Sequence, residues 1–233
     1  MDSVNKVKHR AINNTKIIKV TKNGPYYVTG NIPLIKTVIE ADEEGYPCNW
    51  KETDKYSYNP AYRLCRCGKS ENKPFCDNHH KNAKFDGTET AKNDDFEYNA
   101  KVYDGPELKL LDNKELCVGA GFCTRAGNIW NLVVHSDTPE YKEIAIQEAS
   151  DCPSGRLVLR DNEENSLEPV FEHSIAVTED EEDIPGPLWI RGGIQIQSAD
   201  KKSYKKRNRV TLCRCGNSKN KPLCDGSHLD DEE

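Results

Sequence analysis

Nine of the ten cysteines in this 233-residue chain fall into three triplets. Cys65, Cys67 and Cys76 are followed by His80, and Cys213, Cys215 and Cys224 by His228. Both stretches obey one template, C-x-C-x2-S-x3-P-x-C-D-x-x-H. Three soft thiolates and an imidazole closed within sixteen residues can surround a metal centre without help from elsewhere in the chain. Two copies in register make metal binding far more probable than chance. Zinc sites usually space their first pair as C-x2-C or longer. Here the pair is C-x-C, and iron–sulfur clusters are also held by thiolates, with histidine replacing some of them. Spacing alone favours a cluster modestly and leaves zinc open.

The third triplet is Cys117, Cys123 and Cys152, the last followed by Pro153. Gly119 and Gly121 fit a loop wrapped closely around a cluster, where side chains would clash. The plain alternative is three buried thiols that merely pack. Phe122 and Trp130 are expected in the core, where they can also shield a cluster.

The elements that must position these ligands carry a second repeat. GPYYVTGNIPL from Gly24 echoes GPLWIRGGIQI from Gly186, both β-branched and aromatic runs broken by glycine, which reads as strand, turn, strand. The offset is 162 residues here and 148 between the cysteine motifs, so the first copy has a connection 14 residues longer, around ADEEGYPCNWKET. Neither copy alone can bury much surface, so the two are expected to pack on each other as a pseudo-twofold, β-rich core. Between them Glu107–Leu111 reads as a strand and Asp112–Glu115 as a turn. Thr138-Pro139-Glu140 opens a helix whose apolar side is Tyr141, Ile144, Ala145, Ile146 and Ala149. That helix ends at Cys152–Gly155, and Leu157–Arg160 is a strand expected to pair with 107–111. The fold class is α+β and β-rich, in three units: 12–95, 100–165 and 170–230.

Composition narrows the setting. Hydrophobic residues make up 35% of the chain and mean hydropathy is −0.84, so the core should be thin and in need of metals or crosslinks. No apolar run suits a signal peptide or a bilayer span, so a soluble cytoplasmic protein is expected, where cysteines serve metals more than disulfides. The net charge of −6 is uneven: 101–183 holds 19 acidic and 7 basic residues. EDEED at 179–183 reads as a solvated linker, and DDEE at the end as a solubilising tail. KKSYKKRNR before Cys213 reads as a solvated strand edge rather than a nucleic-acid patch. Cys48 is assigned a structural role. His9, His135 and His173, which lack partners at ligand spacing, are assigned to the surface. The chain carries no nucleophile elbow, phosphate loop or paired-carboxylate signature, so it is not expected to be an enzyme in its own right.

CRCGNSKNKPLCDGSH closely resembles the signature of the CDGSH, or NEET, iron–sulfur family, and the upstream NGPYYVTGNIPL and GPLWIRGGIQI resemble that family's strands. The resemblance implies one [2Fe–2S] cluster per motif. Its ligands would be Cys65, Cys67, Cys76 and His80 in the first motif and Cys213, Cys215, Cys224 and His228 in the second. It also implies two intertwined halves under a β-cap. The first motif departs from the signature, reading CDNHH for CDGSH; Asn78 tolerates the left-handed backbone expected of glycine there, and His80, not His79, keeps the four-residue offset. Asp77 and Asp225 are expected to cap the turn bearing the histidine, Ser70 and Ser218 to bond a sulfur or cap the loop, and Pro74 and Pro222 to stiffen it. CVGAGFC…CPSG resembles a divergent mono-cluster ferredoxin-like domain in which Ala120 replaces the central ligand. Cys117, Cys123 and Cys152 would then hold a [3Fe–4S] cluster, or a [4Fe–4S] cluster with a further ligand.

The expected function is electron transfer through three clusters, with the CDGSH halves paired within the chain. The partner would be a basic redox protein docking on the acidic middle; neither nucleic acid nor membrane is expected as a partner. Cluster storage, transfer to an acceptor protein or redox sensing is the alternative, and a zinc-stabilised interaction module a third. A ligating imidazole nitrogen must be unprotonated, so acid competes with iron for it. Both CDGSH-type clusters should therefore bleach below about pH 6.5, the unperturbed histidine value. Replacing His80 and His228 by cysteine should suppress the loss; unchanged bleaching rates would refute the ligation.

Overall fold

The computed structural model describes residues 15–230. His9, the start of the first expected unit and the last three residues of the acidic tail lie outside that range. The first unit contains β1 (Ile17–Val20), β2 (Tyr26–Thr29), β3 (Leu34–Ala41), β4 (Pro47–Lys55), β5 (Tyr62–Leu64) and a single helical turn, α1 (His79–Asn82). The middle holds β6 (Lys101–Asp104), β7 (Lys109–Asp112), α2 (Ile129–Val134), α3 (Pro139–Asp151) and β8 (Leu157–Arg160). The last unit is β9 (Ser174–Glu179), β10 (Pro185–Arg191), β11 (Gln195–Gln197) and β12 (Arg209–Leu212).

Alternation builds the outer sheets: Ile18, Val20, Tyr26 and Val28 point inward while Lys19 and Tyr27 point to water. One sheet runs β11-β1-β2-β5 and the other β12-β10-β9-β3-β4. Each is completed from the opposite end of the chain, the first by β11 and the second by the β3–β4 hairpin. β11 lies parallel to β1, pairing Ile18 with Ile196, and β3 lies parallel to β9, pairing Leu34 with Ile175. One apolar cluster spans both units, from Ile18, Tyr26 and Leu64 to Val177, Ile190 and Leu212. In the middle unit an antiparallel sheet, β6-β7-β8, buries Leu110, Leu157 and Leu159 together with Ile129, Leu132 and Ala145 from α2 and α3.

The strand expected at 107–111 forms at 109–112 and pairs with 157–160 as anticipated. β6 and α2 had no sequence expectation. In α3, Tyr141 is exposed, and Glu148 instead shares the buried stripe with Ala145 and Ala149. Its Oε1 accepts the Ala126 N–H at 3.0 Å while Oε2 is left without a hydrogen-bond partner among the described residues, and burial raises its pKa.

Two expectations about charge are corrected. EDEED is no linker: Glu179 ends β9 and pairs with Lys36 at 2.8 Å, and Asp180–Ile184 close the tight β9–β10 turn. The basic run is not wholly a solvated edge. Arg209 is 1% exposed and donates to the carbonyls of Ala149, Cys152 and Leu157, while Arg207 donates to those of Ser154 and Gly155. A helix C-terminus leaves carbonyls without partners; Arg209 supplies donors at the end of α3, and both arginines reach the turn and strand that follow, fastening the middle unit to the last.

Candidate metal centres

In the first motif, β5 delivers Cys65 and Cys67 with their sulfurs 3.8 Å apart. The loop then doubles back: Cys65 N–H donates to Pro74 O and Cys76 N–H to Arg63 O, which brings Cys76 alongside. Asn78 takes φ 77° and turns the chain into α1, where His80 Nδ1 lies 3.4 Å from Cys76 Sγ. The second motif repeats this. Cys213 and Cys215 sulfurs are 3.6 Å apart, Cys224 Sγ lies 3.5 Å from His228 Nδ1, and Gly226 takes φ 88° in place of Asn78. Two thiolates at about 2.3 Å from one tetrahedral ion stand about 3.8 Å apart, and a thiolate and an imidazole about 3.5 Å. Each motif therefore offers two ligand pairs, each spaced for one ion.

His79 faces elsewhere. Its Nδ1 lies 3.0 Å from Asp77 Oδ2, and that carboxylate raises its pKa. Asp77 also accepts the His79 and Glu71 N–H groups, so it ties the helical turn to the loop, and Asp225 does the same for Ser227 and Lys219. Ser70 and Ser218 donate to Phe75 O and Leu223 O, the loop-capping role. Backbone N–H groups of Asn78, Gly216 and Asn217 reach the sulfurs of Cys76, Cys213 and Cys215 at 3.3–3.4 Å. Burial pushes the Cys224 thiol up to about 12, so a bound cation is what would hold it as thiolate.

The two motifs abut. A side-chain carbon on Gly68 would stand 2.2 Å from Cys215 O, and one on Gly216 2.8 Å from Cys67 O. Equivalent arginines brace both: Arg66 donates to Thr21 O and Gly87 O, Arg214 to Thr178 O and Gly186 O. One bond has no counterpart. The buried Tyr26 hydroxyl crosses to Cys213 O at 2.8 Å, where the second copy has Leu188.

Cys117, Cys123 and Cys152 line one pocket with Gly119, Gly121 and Arg156. Burial and the neighbouring cysteines lift the Cys123 thiol to about 11. Arg156, held by Asp112 at 2.5 and 2.9 Å, brings positive charge to the pocket. Phe122 is buried and stacks on Trp50 at 5.0 Å; Trp130 donates to Asp112 and lies under Arg156. Trp50 belongs to β4, so the 14-residue connection is a β-hairpin that docks the middle unit, helped by Arg125 donating to Cys48 O. Cys48 is exposed, with its thiol 3.3 Å from Glu40 O, and His135 and His173 are exposed as expected. Sequence reasoning missed Trp50, Tyr26, Arg207 and Arg209, because their partners are backbone carbonyls or rings distant in sequence. The only advance signal was the length of the extra connection.

No helix among the described residues is long and apolar enough to cross a membrane. Neither curated proteins nor solved structures yield a match to the chain. The family profile described as iron-binding zinc finger, CDGSH type, matches residues 23–81 and again 185–229. The profile of the divergent 4Fe–4S mono-cluster family matches residues 103–162. Those segments carry all three ligand groups, so this is an iron–sulfur protein with two CDGSH-type iron-binding domains and a divergent 4Fe–4S mono-cluster domain inserted between them.

Proposed function

We propose that the chain is a cytoplasmic one-electron carrier with three centres. Cys65 and Cys67 would hold one iron of a [2Fe–2S] cluster and Cys76 and His80 the other; Cys213 with Cys215 and Cys224 with His228 would do the same. Cys117, Cys123 and Cys152 would hold a [3Fe–4S] or [4Fe–4S] cluster. Such clusters supply reversible one-electron redox chemistry when bound. The observation that carries the reading is the pairwise spacing of the ligands. Two ligand pairs per motif, each spaced for its own ion, suit a two-iron cluster better than a single zinc. The exchanged strands, with the matched Thr21–Pro25 and Thr178–Pro187 bonds, favour a pseudo-twofold relation between the CDGSH units. The chain's own residues do the rest: Arg66 and Arg214 hold the strand ends, and the backbone N–H groups of Asn78, Gly216 and Asn217 donate to the sulfurs.

The test is iron and acid-labile sulfide per chain on anaerobically purified protein, read with EPR during reductive titration. About seven irons indicate a three-iron middle centre and about eight a four-iron one, counting two per CDGSH site. Reversible reduction of at least two distinct signals is expected; sulfide-free or redox-silent protein ends the proposal. The second reading, cluster delivery or sensing, draws on the partial exposure of both His80 and His228. It predicts cluster transfer to an apo-ferredoxin, whereas a carrier retains its iron.

A further inference from the structure

The three ligand groups are not equally spaced along the fold. The second CDGSH motif touches both of the others. Its Cys215 carbonyl packs on Gly68 of the first motif. On its other side, a side-chain carbon on Gly226 would lie 3.4 Å from Cys117 O, and one on Gly119 would lie 2.3 Å from Leu229 Cδ1. His228 lines a cavity together with Val118, Gly119, Ala120 and Pro153. The same four residues also line the three-cysteine pocket. A single layer of backbone thus separates His228 from the middle ligands. Glycine at 119 keeps that layer thin, since any side chain there would meet Leu229.

Electron tunnelling falls off exponentially with distance, so contact order sets the order of exchange. Resting on the electron-carrier reading above, we propose that the middle centre exchanges electrons directly with the second CDGSH centre and not with the first. The order would be first, second, middle, with the 118–120 loop and the His228–Leu229 segment as the junction. Each step moves one electron: the centre that gives it is oxidised by one, the centre that takes it is reduced by one. The first electron comes from a one-electron reductant, dithionite in the test.

The test is EPR relaxation of the middle centre at potentials where it and a CDGSH centre are both paramagnetic, in the full chain. The intact protein should show relaxation enhancement or splitting. Cys213→Ser/Cys215→Ser should abolish it, and Cys65→Ser/Cys67→Ser should leave it in place. Because the paired substitutions can impair folding, His228→Cys and His80→Cys supply a second comparison that keeps a ligand at each site. Only the first should alter the middle-centre signal. The inference is overturned if the perturbation vanishes on loss of the first centre, survives loss of the second, or is absent while both centres are paramagnetic. Absence of any reducible centre in the intact chain would instead sink the electron-carrier reading itself.

Discussion

Gly68→Ala should strip iron from both CDGSH-type sites, although it alters only the first motif. Gly68 takes φ 72°, and an added carbon would stand 2.2 Å from the Cys215 carbonyl oxygen and 2.8 Å from its carbon. The left-handed backbone alone costs a non-glycine residue about 1–2 kcal/mol. The overlap adds more, because its partner is backbone and cannot rotate away; one motif must retreat from the other. Cys215 would move relative to Cys213, whose sulfur now sits 3.6 Å away. The check is iron and sulfide per chain beside visible absorbance, with Lys69→Ala at the exposed neighbouring position as control. Loss confined to the first site, or none, would show that the motifs do not lean on each other.

Arg209→Ala should destabilise the chain by about 3–5 kcal/mol, the usual cost of removing one partner from a buried charged network. The guanidinium bonds three carbonyls and pairs with Glu168, and one of those carbonyls belongs to Cys152 itself. A fall in melting temperature of roughly 10 °C is expected for a chain of this size, together with loss of the middle-centre signal before the CDGSH signals. Arg209→Lys should recover little, because a single ammonium cannot spread over three carbonyls as the planar fork does. Thermal denaturation followed at the visible bands separates the outcomes. A variant that melts with the parent and keeps its middle centre would remove Arg209 from the docking role.

The cysteine–histidine clusters were legible because their members are local. A C-x-C pair, a cysteine nine residues on and a histidine four beyond it need only one strand end, one reversing loop and one turn. Asn78 could be read the same way, since a left-handed residue is a property of its own backbone. The pairing of 109–112 with 157–160 followed from periodicity, and the helix opening at Thr138-Pro139 from the proline at its first turn, although the Thr138 side chain makes no capping bond.

The exchange of β3 and β11 between units, the bond from Tyr26 to Cys213, and the burial of Arg207 and Arg209 came only from the tertiary structure. Each depends on which backbone carbonyls are left without partners once the units meet. A basic run in the sequence does not reveal whether it faces water or the end of a helix. In the sequence by itself were the cysteine–histidine motifs and their doubling. Folding decided that the second motif lies between the other two, since only packing brings Gly226 against Cys117 across more than a hundred residues of chain.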